Sequence, residues 1–374
     1  MRRPRLCAQR SDCQSLRETP APARSSGGVR GPLPSWDTGA PMETITLATC
    51  AAWPALSTSD ACLAAALRAR GRNVVSAPWN DAFEPFAHGP VVIRSTWDYH
   101  ETPDAYVAWL DRLPAGRAFN PPSLIRWNLA KTYVVDLAQR GAPVPRSRAA
   151  VAEPGAVAAA MTALGLHDAV IKPLIGASGF GVERVARGGE AGALARAMAR
   201  KPTAQVLVQE FLAEIADGEL AGVFFDGAFS HGLRRVPVAG EFRINTQYGG
   251  RMEAITLTPD VIDAMAAVLA LLPERPLYAR VDGVARAGRF MLIEVEVNEP
   301  GLGLDLVAGA AERFADAVIA RLSSSAARPQ QYCRRAPSSM RSRAISHARP
   351  PSAATKRLPK RPIASRTPTT PSPR

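Results

Sequence analysis

Residues 278–301 read YARVDGVARAGRFMLIEVEVNEPG, which predicts two β-strands joined by a turn near Ala287 and Gly288. Successive side chains of a strand point to opposite faces of its sheet. The apolar face of this hairpin carries Ala279, Val281, Ile293, Val295 and Val297, and the charged face carries Arg280, Asp282, Glu294, Glu296 and Asn298. The sequence therefore predicts a hairpin with one face in the core and the other available for chemistry.

The carboxylates of the charged face are expected to lie close together. Asp282 falls opposite or diagonal to Glu294 and Glu296 across the predicted hairpin. Carboxylates this close repel each other unless a cation lies between them. Two or three oxygen ligands, with positions left for water and phosphate, commonly hold Mg²⁺ in nucleotide sites. Arg280 would then contact the phosphate. The alternative is a solvent-exposed face with one Arg–Glu cross-strand pair.

A second candidate feature is the stretch IKPLIGASGFGV, residues 171–182. Lys172 at a strand end is followed by Gly176, Ser178, Gly179 and Gly181. Glycines allow positive φ and close backbone approach, so consecutive N–H groups can converge on phosphate oxygens. The lysine precedes the glycines, so this is neither a Walker loop nor the dinucleotide fingerprint. A plain hairpin turn remains the alternative.

Between these two features lies GEFRINTQYGGR, residues 240–251. Arg243 and Asn245 share a face, and Gly249-Gly250 lets the backbone turn sharply. An arginine beside phosphates can stabilise the charge that develops during phosphoryl transfer. A surface hairpin is the alternative.

The N-terminal part of the chain alternates strands and helices, which predicts a small doubly wound parallel sheet. The strands are expected at 44–50, 72–79 and 90–96, and the helices at 59–71, with Ser59 or Asp60 as N-cap, and at 103–113. Ligands of such sheets lie beyond the carboxyl ends of the strands. In RSTWDYH, residues 94–100, the candidates to face a ligand are Arg94, Thr96, Trp97, Asp98 and His100. Alternatively, Trp97 packs and Asp98 caps the next helix.

From residue 127 onward the pattern is α+β, with antiparallel strands and covering helices. The predicted elements are helix 127–141, strand–turn–strand 167–185, helix 189–200, strand 205–212, a hairpin over 219–237 turning at Asp226-Gly227, helix 258–273 with Thr258 as N-cap, and helix 305–322.

The formal net charge of +13 belongs to the chain ends: residues 1–41 carry +4 and residues 323–374 carry +12, which leaves −3 for 42–322. Both ends are predicted to be disordered. A protein that binds nucleic acid or a membrane through these basic tails is the alternative class, although the tails lack interleaved aromatic residues. The five cysteines form no CxxC pair, and no secretory or membrane-spanning run is found. We therefore expect a cytoplasmic protein.

The order of these features resembles the ATP-grasp superfamily, which includes glutathione synthetase and D-alanine–D-alanine ligase. The series is Lys131, Lys172 with its glycine loop, VQEFL, Arg243-x-Asn245, Arg280-x-Asp282 and Glu296-x-Asn298. The resemblance covers roughly residues 120–322. STWDYH and EVEVNEPGLGL resemble in particular the ATP-grasp ligase that closes the cycloserine ring from O-ureidoserine. The implied organisation is a disordered basic extension (1–41), a pre-ATP-grasp α/β domain (42–125), an ATP-grasp domain whose two α+β subdomains clasp ATP (126–322) and a disordered basic tail (323–374).

The resemblance also implies a role for each site residue. Lys131 and Lys172 would contact the nucleotide phosphates, under a lid formed by Gly176, Ser178, Gly179 and Gly181. The hinge at adenine would be formed by Glu210, Phe211 and Leu212, and Glu219 would bind the ribose. Mg²⁺, with Mn²⁺ as the alternative metal, would be held by Asp282, Glu296 and Asn298, and an acyl-phosphate would be stabilised by Arg243 and Arg280.

The implied activity is ATP-dependent ligation of a carboxylate to an amine on a small amino-acid-like or peptide-like substrate, in a monomer or a homodimer. Intramolecular closure of a cycloserine-type ring is the alternative activity, and no specific nucleic acid or membrane is expected as a partner. Two departures stand out: Glu294 is an additional carboxylate, and Pro300-Gly301 follows Asn298 after a shorter link than the family has.

Overall fold

The computed structural model describes residues 43–81, 89–113 and 116–326. The predicted disordered segment 1–41 and most of 323–374 lie outside these residues. The strands are β1 (Thr44–Thr49), β2 (Asn73–Pro78), β3 (Val91–Ile93), β4 (Ala118–Phe119), β5 (Ser147–Val151), β6 (Asp168–Pro173), β7 (Glu183–Ala186), β8 (Gln205–Glu210), β9 (Glu219–Phe225), β10 (Ala228–Val236), β11 (Arg251–Ile255), β12 (Tyr278–Arg286) and β13 (Arg289–Glu296). The helices are α1 (Thr58–Ala69), α2 (Pro103–Arg112), α3 (Pro122–Leu129), α4 (Tyr133–Gln139), α5 (Pro154–Ala163), α6 (Glu190–Arg200), α7 (Pro259–Ala270) and α8 (Ala310–Ala326).

The N-terminal sheet is parallel, as predicted, with strand order β2-β1-β3-β4. Side chains of β1 alternate between two cores: Ile45 and Leu47 pack with α1, whereas Ala48 packs with α2 and α3. Helices on both faces explain why this short strand is buried on both sides. Helix α1 begins earlier than expected, because the hydroxyl of Ser57 accepts a hydrogen bond from the Asp60 amide at 3.1 Å and is the N-cap.

A second sheet, β5-β8-β6-β7, is antiparallel and is covered by α5 and α6. The strand–glycine turn–strand prediction is confirmed by β6 and β7. The edge strand β5 and the helix α5 were not predicted. Their residues SRAAV and PGAVAAAMTA are rich in alanine, so neither shows a clear polar–apolar period.

The third sheet has the order β11-β10-β9-β12-β13 and contains the two predicted hairpins. Asp226 and Gly227 turn the first, and Ala287 and Gly288 turn the second. Helix α7 packs on one face of this sheet. Helix α8 packs on the other face, where it also contacts the parallel sheet.

Two predicted helices have different bounds in the structure. The helix expected over 127–141 is two helices, α3 and α4, which are separated by a break at residues 130–132. The last helix begins at Ala310 rather than at 305 and continues to Ala326, so the predicted domain boundary at 322 falls inside it.

The hairpin β12–β13 contains a bulge that the alternation rule did not predict. Asp282 pairs with Glu294, but Gly283 pairs with Leu292, so Ile293 is the extra residue. A bulge reverses the face on which the following side chains lie. Leu292 is therefore buried in the core, and Ile293, which was expected in the core, lines a cavity instead.

Candidate active site

A cavity of about 780 Å³ lies between the second and third sheets, next to the loop that follows β3. Its walls come from the β6–β7 loop, the end of β8, the segment 242–252, the hairpin β12–β13 and residues 97–101. The predicted charged hairpin face and the predicted glycine loop thus contribute to the same cavity. We call Glu219, Arg235, Arg280, Asp282, Glu294 and Glu296 the floor, and residues 176–181 the lid loop.

Arg280 is the central cation of the floor. Its Nε donates to Asp282 Oδ1 at 2.8 Å, and its Nη2 donates to Asp282 Oδ2 at 2.8 Å. The same Nη2 donates to Glu296 Oε1 at 2.5 Å. Asp282 has no exposed surface and also accepts a hydrogen bond from Arg235 at 3.2 Å. The cross-strand Arg–Glu pair is therefore present, but it is buried at the cavity rather than on a solvated surface.

Arg235 is a floor residue that the sequence did not reveal. Its Nη1 donates to Glu219 Oε1 at 2.9 Å and joins that carboxylate to Asp282. Arg235 lies directly across from Glu219 in the β9–β10 hairpin. Pairing outward from the Asp226-Gly227 turn would have placed Arg234 opposite Glu219, because it misses the register shift between Phe229 and His231 that brings Arg235 there.

Lys131 forms an ion pair with Glu294. Although burial opposes it, the charges of Lys131 and Lys172 lower the pKa of Glu294 to about 2. Glu294 is therefore ionised and faces the cavity beside Glu296. The additional carboxylate noted in the sequence belongs to the site.

The floor carries more negative charge than its cations balance. Burial, aided by the charge of Asp282, raises the pKa of Glu219 to about 8. Burial, aided by the charge of Glu296, raises the pKa of Glu299 to about 8 at the edge of the floor. Such shifts mark carboxylates whose negative charge is not offset by nearby cations or hydrogen-bond donors. The oxygen donors and the excess charge fit a divalent cation.

Asn298 is not placed with the other predicted metal ligands. Its Oδ1 accepts a hydrogen bond from the hydroxyl of Tyr106 on α2 at 2.6 Å, and it does not line the cavity. Asp282 is likewise turned to Arg280 and Arg235. In the described part of the chain, no group of three or more His, Cys, Asp or Glu side chains is arranged to hold a metal. Asp282 and Glu296 meet at Arg280 Nη2, whereas Asn298 Oδ1 is bonded to Tyr106, and the metal role of the three residues stays a prediction.

Lys172 reaches the cavity from β6, and its ammonium has no hydrogen bond or ion pair with the described residues. Burial lowers its pKa. In the lid loop next to it, Ser178, Gly179 and Gly181 have φ of 56°, 72° and 71°. Among the described residues, no acceptor pairs with the N–H groups of Ser178 and Gly179. A free ammonium beside unpaired N–H groups fits phosphate oxygens.

The lid loop contacts the segment that carries Arg243. The hydroxyl of Tyr248 donates to the carbonyl of Gly179 at 3.2 Å. Arg243 lies over the ring of Tyr248 at 4.0 Å, and Glu241 accepts from its Nη2 at 2.7 Å. Its Nη1 is buried without a hydrogen-bond partner in the described residues and lies 3.8 Å from Glu183 Oε1. Arg243 lines the cavity, but its guanidinium is held by carboxylates of the protein.

The predicted hinge lies at the end of β8. Glu210 accepts from Arg146 at 3.0 Å and from Arg286 at 2.9 Å, and the hydrogen bond from Arg146 is the main reason that its pKa falls to about 2. The Phe211 ring lies 3.8 Å from the guanidinium of Arg184. The carboxylate of Glu210 is thus used within the protein, and only the hinge backbone remains for a ligand.

The loop after β3 forms the remaining wall. Trp97, Asp98 and His100 line the cavity, as the sequence suggested. Asp98 does not cap a helix; it accepts from Trp79 at 2.7 Å and from Asn80 at 2.8 Å. Burial lowers the pKa of His100, and the charge of Lys201 adds to that shift.

Arg94 is not a wall residue of the cavity. It is buried, and its Nε donates to Asp60 at 2.8 Å while its Nη2 donates to the carbonyl of Pro300 at 2.7 Å. The expectation that Arg94 contacts substrate is therefore wrong for this conformation. Its role is to fix the chain that follows β13.

Comparison with known proteins places this geometry in a family. The N-terminal domain of D-cycloserine synthetase DcsG matches residues 45–120, and the ATP-grasp domain of prokaryotic glutathione synthetase matches residues 155–305. The cycloserine biosynthesis protein DcsG of Streptomyces lavendulae is 31% identical over 255 residues, which is 62% of this chain and 83% of that protein. The chain belongs to the ATP-grasp superfamily, and it is an ATP-grasp ligase that forms C–N bonds.

The similarity to individual relatives covers different shares of this chain. The crystal structure of D-cycloserine synthetase DcsG has a TM-score of 0.64 at 28% identity and covers 75% of this chain and 99% of that one. The glutathione synthetase of Parasynechococcus marenigrum is 32% identical over 159 residues, 42% of this chain and half of that protein. The ATP-grasp ligase PsnB, in a complex with Mg and ADP, shares the fold at 19% identity and a TM-score of 0.53, covering 75% of this chain and 99% of that one.

The family and fold predicted from the sequence are thus confirmed. In the described residues, none of the helices combines the length and apolar composition needed to cross a bilayer.

Proposed function

We propose that this enzyme uses ATP to join the carboxylate of a small amino-acid-like substrate to an amine through an acyl-phosphate. The observation that carries the proposal is the placement of Lys172 and the lid loop on the same cavity as the floor carboxylates Glu294 and Glu296. One side offers free donors for phosphate, and the other offers oxygen ligands for a divalent cation.

In the proposed complex, the nucleotide lies between the lid loop and the floor. Lys172 and the N–H groups of the lid loop would bind phosphate oxygens, and Lys131 would join them from its ion pair with Glu294. The hinge backbone at Phe211 and Leu212 would meet adenine. Glu219 Oε2 accepts no hydrogen bond from the described residues, so this atom is our candidate for the ribose contact.

We assign Mg²⁺, with Mn²⁺ as the alternative, to Glu294 and Glu296, because both face the cavity. If these two residues, rather than Glu296 and Asn298, correspond to the Glu-x-Asn of the family, the link to Pro300 becomes two residues longer. The shortened link noted in the sequence is then accounted for. Asp282 would take part only after exchanging a hydrogen bond with Arg280. When bound, the metal shields the charge of the phosphates.

The proposed chemistry needs no nucleophile from the protein. A substrate carboxylate oxygen attacks the γ-phosphorus of ATP, the bond to the β–γ bridging oxygen breaks, and ADP leaves. The amine then attacks the acyl carbon, the C–O bond to phosphate breaks, and the nitrogen loses a proton. Arg243 and Arg280 would stabilise the charge on the transferred group, and the remaining residues would position the reactants.

The direct test is ADP release with a panel of amino acids, amino-acid analogues and dipeptides. The wild type should release ADP only with some members of the panel. Lys172→Ala should lose most of this activity, whereas Arg275→Ala, at an exposed ion pair outside the cavity, should keep it. Equal turnover by Lys172→Ala and the wild type would refute the site assignment.

Closure of a cycloserine-type ring is the second candidate function. It is favoured because the similarity to DcsG extends over the N-terminal domain as well as the ATP-grasp domain. Incubation with ATP, Mg²⁺ and O-ureidoserine as the sole organic substrate tests it. Cycloserine in the product, detected by mass spectrometry, supports ring closure; ADP release that needs a separate amine supports intermolecular ligation.

The proposal also includes a cytoplasmic location, where ATP is available, and either a monomer or a homodimer. The alternative of a protein acting through its basic tails concerns residues outside the described ranges. Removing residues 1–41 and 327–374 decides between the two, because a ligase should retain ADP release.

A further inference from the structure

Glu299 differs from the two preceding carboxylates of the same segment because no cation in the described part of the chain is paired with it. Glu294 is paired with Lys131, and Glu296 with Arg280. Glu299 lines the same cavity, yet its carboxylate accepts no hydrogen bond from another described residue. A partly buried carboxylate that faces a cavity without a partner among the described residues has its charge available to a cationic ligand.

The backbone that carries Glu299 is held in place by three different side chains. Trp97 Nε1 donates to the carbonyl of Glu299 at 3.1 Å. Arg94 Nη2 donates to the carbonyl of Pro300 at 2.7 Å, and Arg280 Nη1 donates to that of Gly301 at 2.8 Å. The carbonyls of three consecutive residues thus accept hydrogen bonds from the loop after β3 and from strand β12. These bonds fix the backbone from which the Glu299 carboxylate projects.

Aromatic side chains of the N-terminal domain form the adjoining wall. Trp53 and Trp97 meet edge to face with their ring centroids 5.8 Å apart, and both line the cavity. Tyr99 lines it too and lies close enough for the charge of Glu299 to act on its hydroxyl. Aromatic faces attract cations, and more strongly where water is excluded.

We propose that Glu299, with the rings of Trp53 and Trp97, forms the subsite that binds the ammonium group of the acid substrate. The subsite rests on the proposed function and deepens it, because it makes the enzyme specific for amino acids over simple carboxylic acids. The carboxylate supplies the opposite charge, and the ring faces attract the cation.

The test uses pairs of acids that differ only in the ammonium group: serine and 3-hydroxypropionate, and alanine and propionate, with both enantiomers of each amino acid. ADP release is measured for the wild type, Glu299→Gln and the control Glu274→Gln, an exposed carboxylate outside the cavity. The wild type and the control should prefer the amino acid by about tenfold to a hundredfold, the range for one charged hydrogen bond. Glu299→Gln should lose this preference while its KM for ATP stays unchanged. A preference kept by Glu299→Gln overturns the proposal.

A role of Glu299 as a metal ligand predicts a different result. The Mg²⁺ concentration for half-maximal activity would then rise in Glu299→Gln without a change in the preference between paired acids, and this outcome also overturns the proposal. If no acid stimulates ADP release, the proposed function fails on its own. Tryptophan fluorescence then tests the subsite directly with alaninamide, a cation, and propionamide, its neutral counterpart. Tighter binding of alaninamide that is lost in Glu299→Gln supports the subsite, and equal binding of the two amides refutes it.

Discussion

The charged side chains of the floor form ion pairs within the protein, whereas the lysine on the lid side of the cavity pairs with none of the described residues. In the floor, Arg280 is bonded to Asp282 and Glu296, and Lys131 to Glu294. On the lid side, Lys172 has no partner among the described residues. The floor is assembled by folding itself, whereas the lid side is completed by the ligand. Changes in the floor should therefore affect stability and activity together, and removal of the Lys172 ammonium on the lid side should affect activity alone.

Removal of Arg280 should have the largest effect on stability. In Arg280→Met, buried Asp282 keeps only its hydrogen bond from Arg235, and Glu296 loses its ion pair. The free energy of unfolding should therefore fall by about 3–5 kcal/mol. Arg275→Met breaks an exposed pair with Asp226 and should cost less than about 1 kcal/mol. Urea unfolding measures both. Similar losses in the two variants would mean that the floor is not a buried ion-pair network.

The two lysines should separate stability from activity. Lys172→Met removes a buried cation that has no partner, so stability should stay equal or rise, while ADP release should fall by about 10²–10³-fold. Lys131→Met leaves Glu294 unpaired and should lower both activity and stability. Urea unfolding and ADP release on the same samples make the comparison. A loss of stability in Lys172→Met equal to that in Lys131→Met would contradict the contrast between the two sides.

The floor should also make the stability of the ligand-free protein depend on pH. Glu219 and Glu299 have a pKa of about 8 in the folded protein, above the ordinary 4.5, so their contribution to stability is present below pH 4.5 and is lost as the pH rises through 8. Glu210 and Glu241, with a pKa of about 2, contribute above pH 4.5 and lose that contribution as the pH falls toward 2. His100 and His231, whose pKa is lowered by burial, act in the opposite direction up to about pH 6.5. The urea midpoint should therefore fall between about pH 6.5 and pH 8.

Glu219→Gln is the control for this pH dependence, because it removes one of the two high-pKa groups. Its urea midpoint should fall less than that of the wild type over the same range. Added Mg²⁺ should stabilise the wild type more at pH 8 than at pH 5, since it competes with protons for the floor carboxylates. A midpoint that does not change with pH in the wild type would remove the argument for excess negative charge.

The smallest expected effect is that of a methyl group in the lid loop. Gly179 has a φ of 72°, and a Cβ there would lie 2.6 Å from Asn245 Oδ1. Gly188 has a similar φ of 89° but open space around it. In both alanine variants the free energy of unfolding should fall by about 1 kcal/mol, because alanine disfavours a positive φ. Only Gly179→Ala should also raise the KM for ATP, measured by ADP release, and an equal rise in Gly188→Ala would exclude a specific role for the lid contact.

Strand alternation predicted the main feature of the site from the sequence. Because Arg280, Asp282, Glu294 and Glu296 share parity on short strands, the charged face followed directly, and the structure has Asp282 opposite Glu294. The ion pairs that Arg280 forms with Asp282 and Lys131 forms with Glu294 were not predicted. The parallel sheet and both hairpin turns followed from equally local patterns.

Features set by distant residues could not be predicted. Asn298 has the parity of a ligand, but Tyr106, 192 residues away in the chain, takes its side chain. Arg94 was expected to face a ligand, but Asp60 and the carbonyl of Pro300 bury it. For Asn298 and Arg94, tertiary packing overrides a local rule. The bulge at Ile293 is different, because Gly283 lies at the register shift on the facing strand, and an isolated glycine in a strand is a local sign of a bulge that the alternation rule did not use.

The most direct test is an experimental structure with ADP and Mg²⁺ bound. The account predicts phosphate oxygens within hydrogen-bond reach of Lys172 and the lid loop. It also predicts a metal about 2.1 Å from oxygens of Glu294 and Glu296, with Asn298 still bonded to Tyr106. A metal bound through Asn298 instead of Glu294, or phosphates away from Lys172, would contradict the division between a floor that holds the cation and a lid side that holds the nucleotide.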